Sequence, residues 1–153
     1  MKTGYSFESK VGPITIEEDE GKISVIEFDR RPQGQKTPLI AKAYQQIAEY
    51  LDGKRTTFDL PLKIVGTPFQ KEAWNVLMSI PYGETISYKE EAEKSGHSKA
   101  YRAIGSANGQ NHLCIVIPCH RVINHDGRLG GFANDPSIKQ ALLDIEKAHL
   151  AKK

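Results

Sequence analysis

The chain has 153 residues, enough to bury a core in one domain or in two small ones. Its 21 Lys and Arg stand against 19 Asp and Glu, so overall charge does not announce a nucleic-acid binder. No leader, lipidation signal or long apolar run points to a membrane, and the expectation is a cytoplasmic protein, or a nuclear one in a eukaryote, with reduced thiols.

The first thirty residues alternate in strand fashion. Tyr5 and Phe7 are spaced by polar neighbours, as are Ile14 and Ile16, and Ile23 and Val25 follow Glu18-Asp19-Glu20-Gly21, with Ile26 and Phe28 as candidate continuations. This pattern predicts a small antiparallel meander. Thr37-Pro38 then supplies an N-cap and a first-turn proline, and Ile40, Ala43, Tyr44, Ile47, Tyr50 and Leu51 recur at helical spacing until Gly53. Residues 56–65 read as an extended connection carrying Phe58, Leu60 and Leu62, where Pro61 confines any strand to an edge.

A second helix opens with a capping box at Thr67-Pro68-Phe69-Gln70, buries Phe69, Ala73, Trp74, Leu77 and Met78, and ends at Pro81-Tyr82-Gly83. A short helix from about Ser87, a break at Ser95-Gly96 and another helix from about Ser98 to Ala107 have the spacing of a helix-turn-helix. The small residues Ala100, Ala103, Gly105, Ser106 and Ala107 suit close approach to a surface and tight helix packing equally well. A last helix starts at Asp135-Pro136 and runs to about Leu150, with Ile138, Leu142 and Ile145 as its buried stripe. Glu146 borders that stripe. It is either a partly exposed helix glutamate or a buried carboxylate with a partner, because a lone buried charge costs several kcal/mol.

Between these helices lies Ile117-Pro118-Cys119-His120-Arg121. An apolar, strand-like run at 113–117 breaks at Pro118, which lacks a backbone donor, and presents a cysteine beside a histidine. His120, Arg121 and Arg102 would lower the pKa of such a thiol. A Cys-His pair alone is equally the mark of a buried structural cysteine. Between Ser95 and Gly131 the charges are Lys99, Arg102, Arg121 and Arg128 against Asp126, a modest basic window that also fits an ordinary solvated surface. Cys114 and Cys119 are not expected to pair. His112, Cys114, Cys119, His120 and His125 match no metal-ligand spacing, so no metal is expected.

The run 117–122, Ile-Pro-Cys-His-Arg-Val, resembles the active-site signature of the O6-alkylguanine-DNA alkyltransferases, the methylated-DNA-protein-cysteine methyltransferases. The likeness extends from about Thr67 to Leu150 through Thr67-Pro-Phe-Gln70, Ile80-Pro-Tyr-Gly83, Ile86-Ser-Tyr88, Arg102-Ala-Ile-Gly105 and Gly130-Gly-Phe132, in the family's order and spacing. Residues 1–66 resemble the family's variable domain loosely. The resemblance implies an α+β protein: an N-terminal domain over 1–66 with a small antiparallel sheet and a helix, ribonuclease H-like, and a C-terminal winged-helix-like domain over 67–153 with a helix-turn-helix.

The same resemblance implies a single-use enzyme that moves the alkyl group of O6-alkylguanine in double-stranded DNA onto Cys119, with O4-alkylthymine left open as a second lesion. It implies no cofactor and a monomer. His120 is implied as base through a water, Glu146 as its orienting partner, Tyr88 as proton donor to guanine N3, and Asn111 as the bridge from the helix-turn-helix to the active-site segment. Arg102 is implied as the residue that fills the gap of a nucleotide rotated out through the minor groove, flanked on the DNA by Tyr88, Ala100, Tyr101, Ala103, Gly105 and Arg121. The pocket is implied at Val122, Phe132, Ala133, Asn134 and Lys139, with the Cys119 and Val122 carbonyls facing the guanine amine.

A thiolate, histidine and glutamate would equally serve a hydrolase, which needs an oxyanion hole and turns over. The DNA-handling residues favour alkyl transfer, whose thioether product carries no leaving group. A non-catalytic lesion-binding relative would lack Cys119, and a regulatory alkyltransferase would carry a four-cysteine domain absent here. The sequence also departs from the family. Glu91 and Lys94 replace apolar residues of the first helix of the DNA-binding motif, which predicts a thinner core there. Tyr101 replaces a small residue, Asn111-His-Leu-Cys114 replaces Asn-Pro-x-Pro, and Asn134-Asp135 replaces a glycine pair in the pocket loop, which predicts slow reaction with bulky alkyl groups.

Overall fold

The computed structural model describes residues 2–124, 126–129 and 136–151, and the chain divides into two compact units, Met1–Ile64 with His112–Val116, and Val65–Asn111 with Ile117–Lys153. The first holds the predicted antiparallel meander and one helix and the second several helices, so the α+β expectation is met.

In the first unit, β1 (Lys2–Ser9), β2 (Gly12–Asp19) and β3 (Lys22–Glu27) form a sheet in the order β1-β2-β3. The register sets Tyr5 against Ile16 and Phe7 against Ile14, with a slip between Glu17 and Glu18 in the β2/β3 pairing. Ile14, Ile16, Ile23 and Ile26 are fully buried. Helix α1 (Pro38–Leu51) covers the sheet with Ile40, Ala43, Ile47, Tyr50 and Leu51, and its Thr37 hydroxyl accepts the Ile40 N–H as a cap should. Phe28 lies beyond the end of β3.

The free edge of β3 is taken up by two distant segments. Leu62 makes a parallel bridge to Ile23, and the Pro61 carbonyl accepts the Ile23 N–H, an arrangement that asks no donor of the proline. Leu113 bridges Ile26, whose N–H and C=O bond to the His112 carbonyl and the Cys114 N–H. The expected strand at 113–117 is therefore a single bridge followed by turns. The buried Ile115, at φ +72°, cannot continue an extended chain, and a β-branched residue there is strained.

In the second unit, α2 (Pro68–Met78), α3 (Tyr88–Lys94) and α4 (Tyr101–Gly109) enclose Ala73, Ala92, Ile104 and Ala107, with Phe69 packed against them. The capping box at Thr67 and Gln70 is present in full, and a second joins Ser87 and Glu90. The Trp74 indole N–H donates to the Ala107 carbonyl at 2.9 Å, tying α2 to α4. Met78, expected in the core, is 39% exposed at the end of its helix. Helix α4 starts at Tyr101 rather than Ser98: residues 98 and 99 form a turn, the Ala100 N–H donates to the His97 carbonyl, and Ala100 caps the helix without a side-chain bond. Strands β4 (Ile86–Ser87) and β5 (Val122–Ile123) pair in parallel and fix the start of α3 beside the cysteine segment. Helix α5 (Pro136–Ala151) completes the unit. Among the described residues no helix is long and apolar enough to cross a membrane.

Candidate active site

Cys119 opens a 3-10 turn, Cys119–Arg121, placed by bonds to its entry. The Ile117 carbonyl accepts the Cys119 N–H at 2.8 Å and the Asn111 side-chain amide at 2.9 Å, so Asn111, at the end of α4, grips the residue two before the thiol. The Val122 N–H closes the turn on the Cys119 carbonyl.

His120 and Arg121 converge on one carboxylate. The His120 Nε2 lies 2.6 Å from Oε2 of Glu146, and Arg121 donates from Nε to Oε1 at 3.0 Å and from Nη2 to Oε2 at 3.1 Å. The Gly83 N–H adds a bond to Oε1 at 2.8 Å. Gly83 holds φ +81°, where any residue with a β-carbon is strained, and its bare backbone lies against the Leu150 side chain. Arg121 also donates to the Ile80 carbonyl at 2.8 Å and lies over the Tyr82 ring.

Burial opposes charge on Glu146, but the His120 bond and charge, followed by Arg121, overcome it and hold the carboxyl down to about 2. For His120 burial wins: its pKa is pushed below the usual histidine value despite the opposing pull of Glu146. The resting ring is neutral, and with its hydrogen on Nε2 toward Glu146 the lone pair is on Nδ1.

Tyr88, the first residue of α3, has Lys139 of α5 beside it. The Lys139 Nζ lies 3.5 Å from the Tyr88 hydroxyl and 5.7 Å from its ring centroid, and donates to the Leu129 carbonyl at 2.6 Å. Burial lowers the Lys139 pKa to about 8 against the opposing effect of a charged Cys119. A cavity of about 650 Å³ opens over Tyr88, Tyr101, Arg102, Gly105, Asn124 and Asp126. Tyr101, Arg102 and Ala103 are exposed on α4, with Ala100 and Gly105 half-buried.

Two expectations need correction. Arg121, taken from the sequence as a DNA contact, is buried and committed to Glu146 and Ile80; an arginine beside a deeply placed carboxylate turns inward. Glu91 does not leave the helix-turn-helix core thin but enters it, fully buried and bonded to Asn108. Val122 is buried in β5, while Phe132, Ala133 and Asn134 lie outside the described residues. The Gly83 contact is not foreseen from the sequence, which marks this glycine as part of a helix stop and of the motif Ile80-Pro-Tyr-Gly83 without a role at Glu146. Among the described residues no three His, Cys, Asp or Glu side chains gather as a metal would require.

Residues 68–148 match the family model described as 6-O-methylguanine DNA methyltransferase, DNA binding domain, and residues 2–64 match that described as 6-O-methylguanine DNA methyltransferase, ribonuclease-like domain. Over 151 residues the chain is 41% identical to the methylated-DNA–protein-cysteine methyltransferase of Methanosarcina barkeri, covering 94% of this chain and 96% of that one. It is also 41% identical over 152 residues to the constitutive methylated-DNA–protein-cysteine methyltransferase of Bacillus subtilis, with 92% of each covered. The crystal structure of Mycobacterium tuberculosis OGT in complex with DNA is similar at a TM-score of 0.86 and 36% identity, over 95% of this chain and 93% of that chain.

Proposed function

The chain belongs to the 6-O-methylguanine DNA methyltransferase family, and from that membership we propose how its residues carry out the reaction. The protein repairs DNA by direct reversal, transferring the alkyl group of O6-alkylguanine to one of its own cysteines in a single irreversible event. Cys119 is that cysteine. The observation that carries the assignment is the Glu146 carboxylate behind it, bonded to His120 and Arg121 of the same three-residue turn.

His120 accepts the thiol proton at Nδ1 through a water, and Glu146 stabilises the imidazolium that results. The thiolate attacks the alkyl carbon in line: the S–C bond forms, the C–O6 bond breaks, and its electrons go to the purine. Tyr88 donates its phenolic proton to guanine N3, since an anionic purine leaves poorly, and the Lys139 ammonium returns a proton to the tyrosine. The product thioether has no group that water displaces at sulfur, so the protein is consumed.

Arg102 fills the stack when the nucleotide is rotated out, a step that costs a few kcal/mol and less for a poorly paired modified guanine. Tyr101, Ala100, Ala103 and Gly105 meet the minor groove beside it, and their placement on the accessible side of α4 supports this reading. The Cys119 and Val122 carbonyls receive the guanine amine. We place the protein as a monomer in the cytoplasm, or the nucleus of a eukaryote, with the repair machinery in residues 67–153.

Guanine formed per protein molecule on a duplex bearing O6-methylguanine tests the assignment. The yield should level off at one equivalent, vanish in Cys119→Ser and persist in Cys114→Ser. Repeated turnover, or activity that follows Cys114, contradicts it.

A further inference from the structure

Glu91 on α3 is fully buried, and its Oε1 accepts the Asn108 side-chain amide of α4 at 2.6 Å. The two remaining oxygens of this contact, Glu91 Oε2 and Asn108 Oδ1, are both buried and have no hydrogen-bond partner among the described residues. Two bare acceptors on one buried contact are costly, because each has lost its water and an acceptor cannot serve another acceptor. One proton on Oε2 changes this. It turns that oxygen into a donor toward Oδ1, and the acid and the amide close a ring of two hydrogen bonds.

We propose that Glu91 is a positioning residue for the DNA step: kept as the neutral acid, it clasps Asn108 and sets the recognition helix α4 against α3. The surroundings favour the neutral form. Among the described residues, the elements packed on α3 bury apolar side chains and no cation against Glu91: Ala73, Trp74 and Leu77 of α2, Ile104 and Ala107 of α4, and Ile86 and Val122 of β4 and β5. Lys71 and Glu72 of α2, with Glu90, Glu93 and Lys94 of α3 itself, are exposed. Burial, opposed in part by the Asn108 bond and reinforced by a charged Cys119, holds the Glu91 pKa up at about 8. The clasp therefore opens above that pH. What it positions is the helix that bears Tyr101 and Arg102, so its loss is felt in duplex repair and not in the alkyl-transfer chemistry. This consequence rests on the function proposed above; the clasp itself does not.

The test compares wild type, Glu91→Gln and Glu91→Leu. For each, the rate on O6-methylguanine duplex is divided by the rate on the free base from about one pH unit below 8 to one above it, and unfolding temperature is followed from pH 4 to 9. The wild-type ratio should fall about tenfold across the rate window, as the protonated fraction of a group titrating near 8 does. Glu91→Gln keeps one donor and one acceptor without an ionisable proton, so it should match wild type at neutral pH and lose the alkaline fall. Glu91→Leu strands the Asn108 amide and should lower the ratio and the unfolding temperature at every pH.

The sign for stability follows from a pKa raised on folding. The Glu91 contribution is complete below its ordinary 4.5, declines as pH rises to about 8 and is flat beyond. The difference in unfolding temperature between wild type and Glu91→Gln should trace that decline. If Glu91→Gln behaves like Glu91→Leu, the carboxylate acts as an anion, and if it keeps the alkaline fall, another group titrates; either result shows that the clasp is wrong. If wild type transfers no methyl group at all, the proposed function fails, and the unfolding curves still decide the clasp.

Discussion

His120 and Glu146 meet at 2.6 Å with each side chain 1% exposed, so the orientation of the imidazole is set in a site almost closed to water. A buried carboxylate survives there because Arg121 and the Gly83 amide share its charge. The hydrogen between the pair fixes which ring nitrogen accepts a proton.

Glu146→Gln keeps the shape of that carboxyl and removes its charge. It should slow reaction with duplex and with free O6-methylguanine alike, by the 10²- to 10⁴-fold that acid–base assistance is roughly worth. Leaving Arg121 buried without its counter-ion should also cost about 3–5 kcal/mol in denaturant unfolding. A loss confined to the duplex would remove Glu146 from the chemistry.

Arg121→Met should act in the same way, for the guanidinium is spent inside the protein. Stability and both reaction rates should fall, while the salt dependence of DNA binding stays as in wild type. Loss of one phosphate contact, a change of slope of roughly 0.9 in log affinity against log salt, would return Arg121 to the DNA surface.

Arg102→Ala should separate the two substrates. The arginine is exposed on α4 and takes no part in the Glu146 cluster, so the duplex rate should drop at least about tenfold more than the free-base rate. Equal losses would end its stacking role.

Much of this arrangement is legible before any coordinates. Thr37-Pro38 and Thr67 with Gln70 announce two helices by cap chemistry, and alternation about Ile14, Ile16 and Ile23 announces the sheet, because these signals are local. The motif around Cys119 likewise carries the family resemblance, and the border position of Glu146 leaves a buried, partnered carboxylate as one of two readings, the one the fold adopts. What escapes is set by distant partners. The run at 113–117 has the composition of a strand, but Ile26 pairs with its first part while Asn111 holds Ile117, and the turn between them forces Ile115 to positive φ. Arg121 and Glu91 are residue types that default to the surface, and only their buried partners Glu146 and Asn108 bring them in.

Acid should unfold the protein by a route that the Glu146 site explains. The Glu146 pKa falls on folding from 4.5 to about 2, so its contribution is present above 4.5 and lost as pH drops toward 2. His120, lowered from 6.5, adds stability above that value which is lost on acidification, in the same direction. Unfolding temperature followed from pH 7 to 2 should decline in wild type and lose its lower segment in Glu146→Gln. A profile unchanged by that substitution would mean the carboxylate is not ionised in the fold.

Intact mass before and after incubation with O6-methylguanine duplex, followed by peptide mapping, tests the central claim most directly. One methyl group per protein molecule, carried on the peptide containing Cys119 and persisting when the DNA is removed, is the predicted result. A methyl on Cys114, or guanine released in excess of protein with no mass gained, would contradict it.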